Sequence, residues 1–253
     1  MPDLNRSLTL LADGTQVSGF RHAWLSGRDA LGLLPMPFML RVWNLSDDGY
    51  YALSAARYLS VLHGDSVLAA GKVSDVYRHI VPEGTVTEVI FSAGLDLWEA
   101  KVSLSVEAGT AVSETVRRIL AASGTGIPLL SFPGEDPVRS RAQALSGRAA
   151  ECVLEALSAV PARCVLTPSG LSVIPSAGLP VSMVLTEKDL MVPPSFVSGD
   201  RMVLRTNSLG WPLGKTVSIR WEEKSETGLV AERSLDADNM EGEWQAELLI
   251  ERC

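Results

Sequence analysis

At 253 residues, with 46% hydrophobic and 21% charged residues, the chain is long enough to bury a substantial core and too apolar to be disordered. Its formal net charge of −8, with no run of five or more Lys/Arg, excludes the electrostatic signature of a nucleic-acid or anionic-membrane binder. No apolar run approaches the ~20 residues that span a bilayer. Residues 1–6 show no basic region followed by an apolar one, so a soluble chain without a signal peptide is expected.

The first hundred residues read as short strands. Residues 15–24 mix β-branched and aromatic side chains, and 38–44 alternate with Arg41 as the only charge. Leu45-Ser46-Asp47-Asp48-Gly49 has the composition of a turn. Residues 57–63 and 68–79 form a pair around His63-Gly64-Asp65-Ser66, and Pro82-Glu83-Gly84 turns the chain into the strand pattern of 85–91. Residues 97–106 continue as a strand, with Val102, Leu104 and Val106 at period two. Such spacing predicts a small barrel or sandwich.

The middle changes period. Thr110 can cap a helix whose face is Val112, Val116, Ile119 and Leu120, stopped at Ser123-Gly124. Residues 126–137, with three prolines and two glycines, read as loop. A second helix is predicted over 146–160, with Ser146 as cap and Pro161 as stop, and Ala149, Cys152, Val153, Ala156 and Leu157 as its apolar stripe. Residues 163–167 and 171–175 flank Pro168-Ser169-Gly170 as a hairpin. The last third returns to strands at 201–207, 216–221, 228–236 and 243–252, after an extended Asp189-Leu190-Met191-Val192-Pro193-Pro194 segment. The expected fold class is therefore mainly β with a small α+β insertion: a β-barrel-like domain over 1–108, an α+β domain over 109–178, and a second β-barrel-like domain over 179–253.

No catalytic constellation stands out. The three histidines, His22, His63 and His79, have no metal-ligand spacing, and His63-Gly64-Asp65-Ser66 is a turn rather than a nucleophile elbow. Gly124-Thr125-Gly126 ends a helix instead of opening one, and the glycines around Trp211 lack phosphate-loop spacing. The acidic pairs Asp47-Asp48, Glu222-Glu223 and Asp236/Asp238 read as solvated turn charges. Cys152, Cys164 and Cys253 are an odd count without CxxC spacing, read as small hydrophobes of a reduced, cytosolically assembled protein. No catalytic residue, cofactor-binding residue or metal ligand is assigned. Six tryptophans carry more weight, Trp211 above all. It sits in Leu209-Gly210-Trp211-Pro212-Leu213, where an apolar cluster would be exposed in a monomer, so Leu209, Trp211 and Leu213 are the candidate interface. The alternative is a loop folded back on its own core. On the interface reading, Trp211→Ser weakens association and leaves the monomer folded.

The late segment also carries a resemblance. Val184-Leu185-Thr186-Glu187-Lys188-Asp189-Leu190, then Val192-Pro193-Pro194, a strand, and Asn207-Ser208-Leu209 leading to Leu213-Gly214-Lys215-Thr216-Val217 resemble the baseplate hub (late control, tail hub) proteins of contractile-tailed bacteriophages and related injection systems. Gly71-Lys72-Val73 looks like the family's first-barrel Gly-x-Val strand. Residues 146–174 match its inserted α+β unit, and Gly242-Glu243-Trp244-Gln245-Ala246 is similar to its Gly-x-Trp-x-Thr ending, with Ala246 in place of Thr.

The resemblance implies a non-enzymatic virion structural protein of the tail baseplate, assembled in the host cytoplasm. Its homotrimer would form a pseudo-sixfold ring joining the tail tube to the central spike and leaving a channel for DNA. Implied partners are a second and third copy, the tail tube protein, the central spike protein and the tape measure protein, with no membrane and no specific nucleic-acid binding. The spike would be a separate polypeptide, because no such region follows Trp244. Two other readings are a tail-tip adaptor or receptor-contacting module, and a peptidoglycan hydrolase built on Glu151 or Glu155. Those two glutamates lie one helical turn apart, where a solvated pair is the default.

Overall fold

The computed structural model describes residues 6–177 and 179–252; Cys253 and most of the amino-terminal stretch read above lie outside them. The first strands are β1 (Thr9–Ala12), β2 (Thr15–Val17), β3 (His22–Ala30) and β4 (Pro37–Trp43). After helix α1 (Asp47–Ala55) come β5 (Tyr58–His63), β6 (Ser66–Val81) and β7 (Gly84–Ser92). The middle holds α2 (Leu95–Glu99), β8 (Lys101–Val106), α3 (Val112–Ser123), β9 (Leu129–Ser131), β10 (Gln143–Arg148), α4 (Ala149–Leu157), β11 (Ala162–Thr167) and β12 (Gly170–Pro175). The end supplies β13 (Val181–Thr186), β14 (Ser195–Ser198), β15 (Arg201–Thr206), β16 (Thr216–Trp221), β17 (Lys224–Asp238) and β18 (Trp244–Arg252). The molecule is mainly β with a small α+β insertion, as expected.

The strands of the first and last thirds are not two separate barrels. They belong to one 13-stranded sheet in the order β14-β15-β18-β17-β3-β4-β7-β6-β5-β1-β2, with β16 and β13 branching from β17, and this sheet does not close. The join is β17. Its first half pairs with β16, from Trp221↔Lys224 to Thr216↔Leu229, and its second half pairs with β3, from Glu232↔Ala30 to Asp238↔Trp24. From Gly228 to Ala237 its other side pairs with β18, bridging the two halves. At 15 residues, β17 is far longer than the nine-residue strand read from sequence, and the extra length lets one strand serve both halves. One contiguous core fills both, from Leu10, Leu25 and Phe91 to Leu204, Leu235 and Ile250.

The middle unit has its own core of Leu97, Val116, Ile119, Leu145, Val153 and Leu171, among others. β8 pairs with β10 rather than with the first sheet, so this unit gathers residues from α2 onward and not only those after 108. Residues 97–106, expected as one strand, split because Leu95–Glu99 forms a single helical turn behind the left-handed Gly94 (φ 77°). Residues 45–49, expected as a turn, instead open α1. Ser46 accepts the Gly49 N–H at 3.2 Å, and Asp47 and Asp48 sit in the first turn, favourable to the helix dipole. Only Gly49 and Leu53 of α1 are buried, too thin a stripe for periodicity to reveal.

Cap assignments also shift. The α3 cap is Ala111, and the capping role falls to Asp136, which accepts from the Ser113 amide at 3.0 Å and hydroxyl at 2.6 Å. Ser146 lies within β10, opposite Ser103, so α4 begins only at Ala149. The loop at 126–137 contains β9, which runs parallel to β12. The Gly124 stop has the left-handed conformation expected (φ 65°). Cys152 and Cys164 are buried free thiols, and burial pushes Cys164 up to about 12, away from reactivity.

Candidate assembly surface

The two halves of the sheet meet at an inward-facing ion pair. Arg233 on β17 stands directly opposite Asp29 on β3, at the same strand parity as the buried Leu235 and Ala237. It is 6% exposed. Its Nε donates to Asp29 Oδ1 at 3.0 Å and its Nη2 to Oδ2 at 2.6 Å, a two-pronged pairing. Nη2 also donates to the Leu68 carbonyl at 2.6 Å and Nη1 to the Leu209 carbonyl at 3.3 Å. One guanidinium thus ties β17 to β3, β6 and the loop at 207–215. Nothing in the motifs pointed to it, but a charge among alternating apolar residues at 233, 235 and 237 is a readable sign of a buried partner.

The opposite, outward face of the same strands carries cross-strand pairs. Arg41 donates to Glu88 at 2.8 Å and lies over the Trp24 ring, and the Trp24 indole N–H donates to Asp236 at 2.6 Å. His22 stacks on Trp43 with ring centroids 3.9 Å apart and reaches Asp238 at 3.1 Å. Burial of Asp238 works against its charge, yet the backbone N–H groups of Met240 and Glu241 and the His22 ring outweigh it and hold the carboxyl below its ordinary value. A depressed carboxylate contributes stability above its unfolded pKa and loses it as pH falls through the folded one. Asp238→Asn is therefore expected to lower stability by about 1 kcal/mol at pH 7. The gap to the parent should close below the ordinary carboxylate range, which urea unfolding at several pH values would measure.

A cleft of about 340 Å³ lies between β5/β6 and the β11–β12 hairpin. On its wall Asp96, buried, accepts the Tyr58 hydroxyl at 2.5 Å, with Lys72 and Arg57 each 3.7 Å away. Burial, then the Asp96 hydrogen bond and charge, push Tyr58 up to about 12, so it stays a neutral donor. Gly71 of the Gly-x-Val segment belongs here. A Cβ on it would lie 2.2 Å from the Ser92 carbonyl carbon, so only glycine lets β6 pass β7 this closely. Among the described residues no three His, Cys, Asp or Glu side chains gather as a metal site. Glu151 pairs with Arg148 at 3.7 Å and Glu155 with Gln143, both on the exposed side of α4.

The structure brings Leu209, Trp211 and Leu213 together, but inside the chain. Leu209 is 2% and Trp211 6% exposed within the main core, and Leu213 packs half-buried against it. The loop is held down by the Gly214 N–H on the Val230 carbonyl at 3.0 Å, the Lys215 carbonyl under the Val230 N–H at 2.9 Å, and Arg233 on Leu209. Gly214 (φ 74°) presses against Val165 and Ile174 of the middle unit, where a Cβ would meet them at 2.6 and 2.9 Å. The exposure that motivated an interface is absent at Leu209 and Trp211, and Leu213 keeps only part of it. The exposed large apolar side chains lie elsewhere. Val181, Val184, Met191, Val192, Phe196 and Val197 crowd the β13–β14 region, and Tyr77 and Ile80 stand on the outer half of β6.

Neither a protein-family model nor a curated protein matches the sequence. Solved structures do match in fold. A tail protein from Neisseria meningitidis MC58 aligns with a TM-score of 0.73 at 11% identity, covering 97% of this chain and 96% of its own. The 43 kDa tail protein of prophage MuSo2 from Shewanella oneidensis gives 0.73 at 11% identity over 97% and 98%. The E. coli c3393 protein, a component of the type VI secretion system with structural similarity to the T4 bacteriophage tail proteins gp27 and gp5, gives 0.72 at 11% identity over 96% and 76%. The fold defined above is thus shared with two tail proteins, one of them from a prophage, and with a type VI secretion system component. This chain carries it nearly end to end.

Proposed function

We propose that the protein is a structural component of a phage-type tail, and within it the baseplate hub. The observation that carries this reading is the extent of the match: one fold shared over 96% or more of the chain with two tail proteins and a type VI secretion system component, middle unit included. In this reading the two strand-rich thirds, expected over 1–108 and 179–253, act as tube-like modules flanking the α+β unit. Three copies form a pseudo-sixfold ring between the tail tube protein and a central spike protein, with the tape measure protein reaching the same channel. Association of identical copies in a closed ring covers sheet edges that would otherwise invite aggregation. On the outward sheet face Glu88, Asp236, Asp238 and Glu247 are interspersed with Arg28, Arg41, Arg201 and Arg205, a mixed surface without the cationic stripe that would hold DNA. The protein works through interfaces and not through chemistry, in the virion baseplate after assembly in the host cytoplasm.

The test is solution mass by light scattering over a concentration series. A species at three times 27.1 kDa is expected. A hexamer would instead favour a tail-tip adaptor, and a chain that stays monomeric alone and with tube and spike proteins present would count against the hub.

A further inference from the structure

We infer that the middle unit is a body that undocks from the main sheet while both cores stay folded, with α2 as its latch. The inference goes beyond the ring reading and does not depend on it. Among the described residues the two parts share no strand ladder: β8 pairs with β10, β11 with β12 and β12 with β9. Each part has its own core. The apolar junction between them is thin. Its buried side chains are Val165 and Ile174 of the middle unit and Leu229 of β17, with Leu31, Leu179 and Leu213 partly buried around them. Beside it, the cleft of about 340 Å³ separates β5 and β6 from the β11–β12 hairpin.

What spans the rest of the junction is polar, and most of it comes from one helical turn. Asp96 of α2 accepts the Tyr58 hydroxyl at 2.5 Å, with Lys72 and Arg57 each 3.7 Å away. Glu99 of α2 pairs with Lys72, and the Trp98 indole N–H donates to the Leu33 carbonyl. On the other side of the hairpin Arg163 pairs with Glu251 of β18, and the Gly32 N–H donates to the Cys164 carbonyl at 2.8 Å.

Two parts with separate cores and a small, polar junction move relative to each other unless something holds them, and their opening costs less than unfolding either one. Asp96 is where the hold concentrates. It is 7% exposed, and Tyr58, Lys72 and Arg57 all belong to the sheet, so docking takes the carboxylate out of water and sheet residues alone offset that cost. Undocking returns Asp96, Lys72 and Arg57 to solvent and widens the cleft.

Two adjacent amides make the test. The Leu31 N–H donates to the Ala231 carbonyl of the sheet at 2.8 Å, and the Gly32 N–H to Cys164 of the middle unit. Undocking frees the second and leaves the first in place. Hydrogen exchange of the full chain, followed by NMR, should show Gly32 protected at least about tenfold less than Leu31 and than the core amides of Ile119 and Val89. Asp96→Asn should cut the protection of Gly32 and of the Trp98 indole by about tenfold more, with Leu31, Ile119 and Val89 unchanged. Arg163→Gln removes the tie to Glu251 at a partly exposed position, and should shift Gly32 the same way whether or not Asp96→Asn folds. Gly32 as protected as Leu31 in the parent overturns the undocking. Gly32 and Leu31 losing protection together in either variant also overturns it, because the loop or the whole fold is then what opens. Gly32 unchanged in a folded Asp96→Asn overturns α2 as the latch.

Discussion

Arg233→Ala is expected to destabilise the protein by about 3–5 kcal/mol, toward the lower end because Asp29 keeps some access to water. The loss has three parts. Asp29 is left without its counter-charge, the Leu68 and Leu209 carbonyls lose a donor, and the join between the two halves loses its only inward ion pair across β3 and β17 among the described residues. Arg233→Lys keeps the charge but not the fork, and is expected to recover only part of the stability. Urea unfolding followed by tryptophan fluorescence measures both. An Arg233→Ala midpoint equal to the parent's would show that the halves are held by the strand ladder and apolar core alone.

Trp211→Ala should cost about 3–5 kcal/mol of fold stability, since it empties a large space in the main core. This reverses the expectation from sequence, in which Trp211→Ser weakens association and leaves the monomer intact. The discriminating variant is Trp211→Phe. The Trp211 indole N–H has no hydrogen-bond partner in the structure, so phenylalanine removes an unsatisfied donor while filling most of the volume. It should cost under about 1.5 kcal/mol. Thermal unfolding of the two variants, alongside their solution mass, separates packing from interface. An alanine variant with parental melting but altered mass would restore the interface assignment.

The readable and unreadable parts of this fold divide along a physical line. β4, β5, β7, β15 and β16 were legible within a residue or two because each alternates one buried face with one outward face, and turn residues bound them. The two-residue turn at Pro168-Ser169 between β11 and β12 was equally plain. α1 and α2 escaped notice because helices of nine and five residues with two buried positions each leave no periodic trace. The continuity of the sheet escaped for another reason. Pairing between Asp29 and Arg233 has no local signature; it depends on two edges being compatible in twist and length. The Trp211 loop shows the same limit: an apolar loop reads identically whether it faces a partner or lies on its own core. Its neighbours Arg233, Val230 and Val165 decide the matter, and they come from other elements.

The pairing of β3 with β17 also sets a timetable. The two residues of the Arg233–Asp29 pair are 204 positions apart in the chain. At a synthesis rate of roughly 5–20 residues per second, β3 emerges from the ribosome about 10–40 s before its partner strand exists. Through that interval the first half carries a nine-residue strand with one edge unmet. Final docking must therefore follow chain completion, and a nascent chain stalled before residue 224 would present a sticky sheet edge to its neighbours on the same message. Docking of the two halves of the sheet is by this route one of the last events of folding.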